Sequence, residues 1–477
     1  MGDEIAHSKF SAADFRQFEQ CLDVETRLLA EWFRDQAFSA RVPECGLELE
    51  AWLIDRQAAP LACNEAFLER LDDPLVVPEL ARFNVELNVH PQPLHGGALT
   101  RLQADLQHTW DRCQATAATL DARLIMIGIL PSVTQPDLSL ANMSDLERYR
   151  ALNEQVLRLR EHQPVMLEIL GDEHLNVLHR DVMLEAAATS LQLHLKVAVA
   201  DAARYYNAAQ MAAAPMVAAA ANSPYLFGRD LWDETRIPLF EQAVEIGGFA
   251  DAGRGPLRRV SFGTGYAKAS LLECFVENQQ HFPVLLPIHF DSPPGDMRHL
   301  SLHNGTIWRW NRPLLGYDDD GTPHLRIEHR VLPAGPTLVD SIASAAFFFG
   351  LVHALATCGE ATEQQLPFAT ARDNFYAAAR AGLDAQITWL DGRKRPVSAV
   401  LLDPLMALAR HGLTQLEIDS ADGEYYLGII ESRIRNACTG CNWQRAWVAR
   451  HGRDMQALTE AYYERQRRGE PVHTWSN

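Results

Sequence analysis

Four separated stretches of this sequence alternate strictly between apolar and polar residues, and that pattern limits the folds open to the chain more than anything else in it. In residues 46–53, Leu47, Leu49, Ala51 and Leu53 take every second position, with Glu48 and Glu50 between them. In 82–90, Phe83, Val85, Leu87 and Val89 alternate with Asn84, Glu86, Asn88 and His90. In 190–197 the polar positions are Ser190, Gln192, His194 and Lys196, and in 324–331 they are His324, Arg326, Glu328 and Arg330. Successive strand side chains point to opposite faces, so each stretch has one apolar and one polar face. Parallel strands, buried on both faces, read instead as nearly continuous apolar runs. The alternation therefore predicts an antiparallel sheet covered on one side only.

Taken singly, each polar face could be ordinary solvated surface. Two points argue for chemistry. Asn and Glu are poor strand formers, and Glu48 and Glu50 share a face with no lysine between them. If the strands join one sheet, Glu86 and Glu328 meet them on that face. Clustered carboxylates repel and are pushed toward protonation unless a cation holds them. Oxygen ligands with a single His suit Mg²⁺ or Mn²⁺, and Mg²⁺ usually combines a few carboxylates with substrate phosphates. Arg330, Arg326 and Lys196 on the same faces are placed to take phosphate oxygens. Carboxylates, a His and arginines on one sheet match the needs of metal–nucleotide phosphoryl transfer.

The rest of the chain supplies a body for such a sheet. Of its 477 residues, 47% are hydrophobic, enough for a sizeable core. A formal net charge of −19 disfavours nucleic acid and anionic lipid as partners. The opening residues lack a basic stretch followed by an apolar run, and residues 341–358 read as a buried helix and not as a membrane span. The eight cysteines form no disulfide framework, and Cys438 and Cys441 read as ordinary thiols. These points predict a cytoplasmic protein. Residues 11–40 read as helix, and 181–222 as strand followed by an alanine-rich helix that Pro215 should kink or end. Beyond Thr337 the pattern is almost wholly helical. The expected plan is a catalytic α+β domain over 1–360 and a helical C-terminal region over 361–477.

Several of these residues stand in a recurrent order. Gly46, Glu48 and Glu50 open a strand; Glu86 precedes Pro91; His194 sits on a central strand; Ala221-Asn-Ser-Pro224 is followed by Gly228 and Arg236. Trp308 then precedes Arg312-Pro313, and Glu328-x-Arg330 closes the series. From about residue 45 to 335 the chain thus resembles the second glutamate–cysteine ligase family and related carboxylate–amine ligases. The resemblance implies a glutamine synthetase-like cupped antiparallel sheet holding ATP and Mg²⁺. It places Glu48, Glu50, Glu86, His194 and Glu328 at metal-ligand positions and Arg330 against the transferring phosphate. Arg326 and Lys196 join Arg330 as nucleotide contacts, and Arg236, Arg312, Trp308 and Asn222 become candidate substrate contacts.

The implied reaction activates a small carboxylic acid as an acyl phosphate and passes it to an amine; a γ-glutamyl donor is one form of it. The sequence leaves the oligomeric state, homo-oligomer included, open. Two other functions share this sheet: a phosphotransferase that stops at the phosphorylated product, and a non-catalytic nucleotide-binding regulator. The closing motif continues Val331-Leu-Pro-Ala-Gly335, without the acidic ending common in ligases that use cysteine, which leaves donor and acceptor open. The aromatic and basic stretch 303–313 suits either a substrate pocket or a hairpin whose tryptophans pack.

Overall fold

The computed structural model describes residue 5 and residues 8–41, 43–246 and 258–476. Eight strands build one antiparallel sheet: β1 Glu44–Ile54, β2 Val76–Pro78, β3 Asn84–Asn88, β4 Gln92–Pro93, β5 Arg123–Ile125, β6 Ser190–Val197, β7 Asn311–Tyr317 and β8 Pro323–Pro333. The order is β7–β8–β6–β1–β3–β2, with β4 and β5 also paired to β1. At 11 residues, β1 is long enough to pair β6 and then β5 along one edge and β4 and β3 along the other. The four alternating stretches become β1, β3, β6 and β8. The sheet curls into a half-barrel.

The main helices are α1 Ala12–Asp35, α2 Ala98–Ala118, α3 Ala202–Ala220, α4 Arg236–Ala243, α5 Leu338–Thr357, α6 Phe368–Ala381, α7 Met406–Gln415, α8 Ser420–Arg435, α9 Gly440–His451 and α10 Met455–Gln466. Ser11 opens α1 with a capping box to Asp14, and the Thr337 hydroxyl caps α5 by accepting the Asp340 amide. The apolar side of the sheet (Leu47, Leu49, Leu87, Leu193, Ile327) packs with α2, α3 and α5 in one hydrophobic cluster. Small side chains let α3 lie close to the strands. That helix runs through Pro215 to Ala220, so of the expected kink or end at this proline the end does not occur.

By length and composition α5 could cross a membrane, yet 94% of its apolar window is buried inside the protein. It is a core helix, as its interrupting polar residues suggest. It crosses α7 at a pair of glycines. A Cβ on Gly412 would meet the Gly350 carbonyl at 1.9 Å, so neither helix can carry a side chain at the crossing.

The residues after 360 are mostly helical, with one small hairpin, Gln386–Thr388 with Lys394–Pro396. They are not set apart from the sheet: Phe375, Ile387 and Leu427 belong to the same cluster as Leu47 and Ile327. From α10, Gln466 donates to the Met126 and Pro336 carbonyls and accepts from the Met126 amide. All eight cysteines are free thiols.

Candidate active site

Register decides which polar side chains meet. Glu48 stands between Asn88 of β3 and Gln192 of β6, and Glu50 lies directly opposite Glu86. His194 lies opposite Gly46 on one side and Glu328 on the other, and Glu328 lies opposite Arg312. With Gly46 at its neighbour's position, the imidazole of His194 meets no side chain there. Two trios result, each with ligand atoms within 4.8 Å of one another: Glu48, His194 and Glu328, and Glu50, Glu79 and Glu86. Glu79 follows β2 and comes onto the same face because Val77 pairs with Glu86.

The first trio is balanced by cations. His194 Nε2 lies 3.1 Å from Glu48 Oε1, an ion-pair distance without hydrogen-bond alignment. Arg312 grips Glu328 with both arms of its fork, Nε to Oε2 at 2.8 Å and Nη2 to Oε1 at 3.1 Å. Arg330 Nη1 lies 3.1 Å from the same Oε2. Burial works to raise the Glu328 carboxyl, but Arg312, Arg330 and His194 together hold it below its ordinary value. Glu48 is likewise pushed up by burial and brought down to about 2, chiefly by His194.

Among the described residues no cation pairs directly with a carboxylate of the second trio. Burial, with the negative charges of Glu48 and Glu50, pushes Glu86 up to about 8. Burial, then Glu86 and Glu50, raises Glu79 well above the carboxylate range. Glu50 is raised by burial in spite of Arg330, and Glu185 nearby is pushed up to about 8 by burial and Glu50. Glu50 is tied to Ser190, whose amide and hydroxyl donate at 2.7 and 2.9 Å. Gln192 donates to Glu50 Oε1 at 3.0 Å and accepts from Arg330, so it couples the two trios. Glu79 Oε1 and Glu86 Oε2 are buried without a hydrogen bond. Buried carboxylate oxygens that receive no hydrogen bond among the described residues fit a divalent cation, and the all-oxygen set suits Mg²⁺ or Mn²⁺.

Other candidate residues have different surroundings. Lys196, buried, is held by Glu44 at 2.9 Å and Asp318 at 2.8 Å, so its charge is already answered. Arg326 has no ion-pair partner among the described residues and its Nε is buried without a hydrogen bond. It lines a cavity of about 520 Å³ together with Glu48, Asn88, His90 and His194. Arg236 pairs with Glu234, its Nη2 donates to the Val331 and Arg330 carbonyls, and Trp310 covers its guanidinium. It therefore braces the backbone that carries Arg330.

Asn222 is fully buried: its Nδ2 donates to Ala334 O and Tyr462, and its Oδ1 accepts from Gln444. Those bonds clamp α9 and α10 to the sheet and leave the amide nothing to offer a substrate. Trp308 packs on Phe240, and residues 308–309 pair in parallel with Val260–Ser261, so the stretch 303–313 forms no hairpin of its own. Sequence reasoning missed Glu79 and Gln192. Gln192 was visible on the polar face of its strand. The only signal for Glu79 was an acid ending the apolar run Leu75-Val-Val-Pro78.

The model of the glutamate–cysteine ligase family 2 matches residues 44–466, which carries the family through the C-terminal helices, beyond the last motif recognised in the sequence. The fold is similar to that of glutamate–cysteine ligase from Francisella tularensis in complex with AMP, with a TM-score of 0.55, 11% identity and 90% of each chain covered. It is also similar to a bifunctional glutathione synthetase from Pasteurella multocida, with a TM-score of 0.51 and 13% identity over 92% of this chain and 55% of that one. This chain thus spans about half of the bifunctional enzyme. No curated protein matches it. The chain belongs to glutamate–cysteine ligase family 2 and is a carboxylate–amine ligase of that type.

Proposed function

We propose that this ligase uses ATP and Mg²⁺ to activate a small carboxylic acid as an acyl phosphate and transfers the acyl group to an amine. The observation that carries this is the pairing of two metal-competent trios with Arg330 and Arg312 on one face of the sheet. Glu48, His194 and Glu328 would hold one cation, and Glu50, Glu79 and Glu86 another. When bound, Mg²⁺ neutralises phosphate charge and draws electron density from the phosphorus.

The chain's own residues would do the rest. A donor carboxylate oxygen attacks the γ-phosphorus, its new O–P bond forms as the bond to ADP breaks, and Arg330 meets the charge on the moving phosphoryl group. The amine then attacks the activated carbonyl, a C–N bond replaces the C–O bond, and phosphate leaves with the electron pair and takes up the proton the amine gives up. Arg312 keeps Glu328 ionised and oriented, and Arg236 fixes the backbone behind Arg330. Arg326, unpaired beside Glu48 and His194, is the guanidinium available for an anionic substrate group. The donor could be a γ-glutamyl carboxylate.

ADP release from Mg·ATP with pooled acids and amines tests the proposal. Release that needs one acid and one amine supports ligation. Release that needs a single acceptor and leaves a stable phosphorylated metabolite would replace it with phosphotransfer.

A further inference from the structure

Beside the Glu50–Glu79–Glu86 trio stands a residue that neither the resemblance nor the family match assigns. Asn84 is 2% exposed, and both polar atoms of its side chain are buried without a hydrogen bond among the described residues. An unpaired amide is costly to bury, and native structures nearly always satisfy one. Asn84 shares its strand face with Glu86 and Asn88, with Glu86 between the two asparagines. Its register partner is Trp52, two residues along β1 from Glu50. Extending the pairing of Val77 with Glu86 and Pro78 with Val85 by one residue brings Glu79 opposite it.

The two asparagines flanking Glu86 behave differently. Asn88 donates to Glu86 Oε1 at 3.2 Å and to the Leu75 carbonyl. Asn84 makes no equivalent bond, although Glu86 Oε2 has no partner either, nor has Glu79 Oε1. Three acceptors (Glu79 Oε1, Glu86 Oε2 and the Asn84 Oδ1) are thus left open on this face, and the Asn84 Nδ2, open too, donates to neither carboxylate. A water molecule has two protons to share among them, and a hard cation can take all three.

We infer that Asn84 supplies its Oδ1 to the coordination of the cation held by Glu50, Glu79 and Glu86. The inference rests on the metal reading proposed above and adds a neutral ligand to an anionic set. A neutral oxygen completes the shell without adding a fourth carboxylate to a group that already repels itself.

Mn²⁺ titration of the nucleotide-free protein, followed by electron paramagnetic resonance, separates the relevant outcomes. Mn²⁺ at the Glu48–His194–Glu328 site carries a modulation from the imidazole nitrogen, and Mn²⁺ at the Glu50–Glu79–Glu86 site does not. Asn84→Leu, close in shape but without donors or acceptors, should weaken the unmodulated site about tenfold or more and leave the modulated one unchanged. Asn84→Asp, which keeps the oxygen and adds charge, should bind at that site at least as tightly as the wild type. Equal affinity in wild type and Asn84→Leu, with a change only in urea midpoint, would overturn the inference and leave a structural asparagine. If Asn84→Leu does not fold, weaker unmodulated binding in Asn84→Asp overturns it equally. Absence of the unmodulated site from the wild type would instead defeat the metal reading itself.

Discussion

Replacing Glu86 with Gln should make the metal-free protein more stable while removing its activity. Glu86 is fully buried, and its carboxyl is pushed up to about 8 from an ordinary 4.5. The sign follows from linkage. Below the unfolded value the group is protonated in both states and costs nothing. As pH rises, the unfolded chain ionises freely and the folded one does not, so stability is lost progressively up to the folded value. At pH 7 the gap of 2.5 units from 4.5 corresponds, at 1.36 kcal/mol per unit, to about 3 kcal/mol; at pH 5 it corresponds to roughly 1 kcal/mol or less.

The Glu86→Gln variant escapes that cost, and its new side chain can still accept from Asn88, but the added amide protons need partners, which takes back about 1 kcal/mol. The expected net effect without divalent ions is a gain of about 2 kcal/mol at pH 7 that disappears by pH 5. Urea unfolding with a chelator, at both pH values, measures it. Saturating Mg²⁺ should then raise the wild-type midpoint more than that of the variant, which keeps only the Glu48–His194–Glu328 site, and so narrow or reverse the gap. A variant that is less stable than wild type at both pH values, or more stable by the same amount at both, would refute the reasoning.

Glu328→Gln should have the opposite effect on stability, because it leaves Arg312 and Arg330 buried without their shared carboxylate. A loss of about 3 kcal/mol in urea unfolding, together with loss of turnover, is expected, and an unchanged midpoint would contradict the pairing. Arg326→Met should raise the KM for an anionic substrate at least about tenfold with little change in urea midpoint, as expected for a charge-assisted contact. Lys196→Met should instead act on stability, by about 3 kcal/mol, because it takes the buried cation from Asp318 and the ion-pair partner from Glu44. The reverse assignment of KM and stability effects would disprove both roles. Glu79→Gln should reduce Mg²⁺-dependent stabilisation to what the Glu48–His194–Glu328 site alone supplies; an undiminished Mg²⁺ response in that variant would remove Glu79 from the site.

The legible part of this molecule was the part with a period. β1, β3, β6 and β8 announce both their apolar face and the residues opposite it, so Glu48, Glu50, Glu86, His194 and Glu328 could be assigned to polar faces from their period, and the family resemblance could join those faces, before any coordinates. Glu79 has no period behind it: β2 is three residues long and ends in Pro78, and only its pairing with β3 brings Glu79 to the site. Lys196 has the right parity, but its fate is decided by Asp318, which arrives from beyond the end of β7. Asn222 belongs to a recognisable motif, yet its task is to receive helices that lie more than two hundred residues further on. Likewise, the helices after residue 360 carry no chemical motif. Their link to the site lies in Tyr462 and Gln466, which bind Met126 beside the sheet, and no local pattern records it.

The central claim is activation of a carboxylate by phosphoryl transfer, and the most direct measurement follows the donor's own oxygen. With an acid labelled by heavy oxygen in its carboxylate, Mg·ATP and an accepting amine, one labelled atom should appear in the inorganic phosphate. The organic product should carry the mass of acid plus amine less one water. Amide formed with unlabelled phosphate would contradict the acyl phosphate, and a labelled acyl phosphate that never yields amide would contradict the ligase.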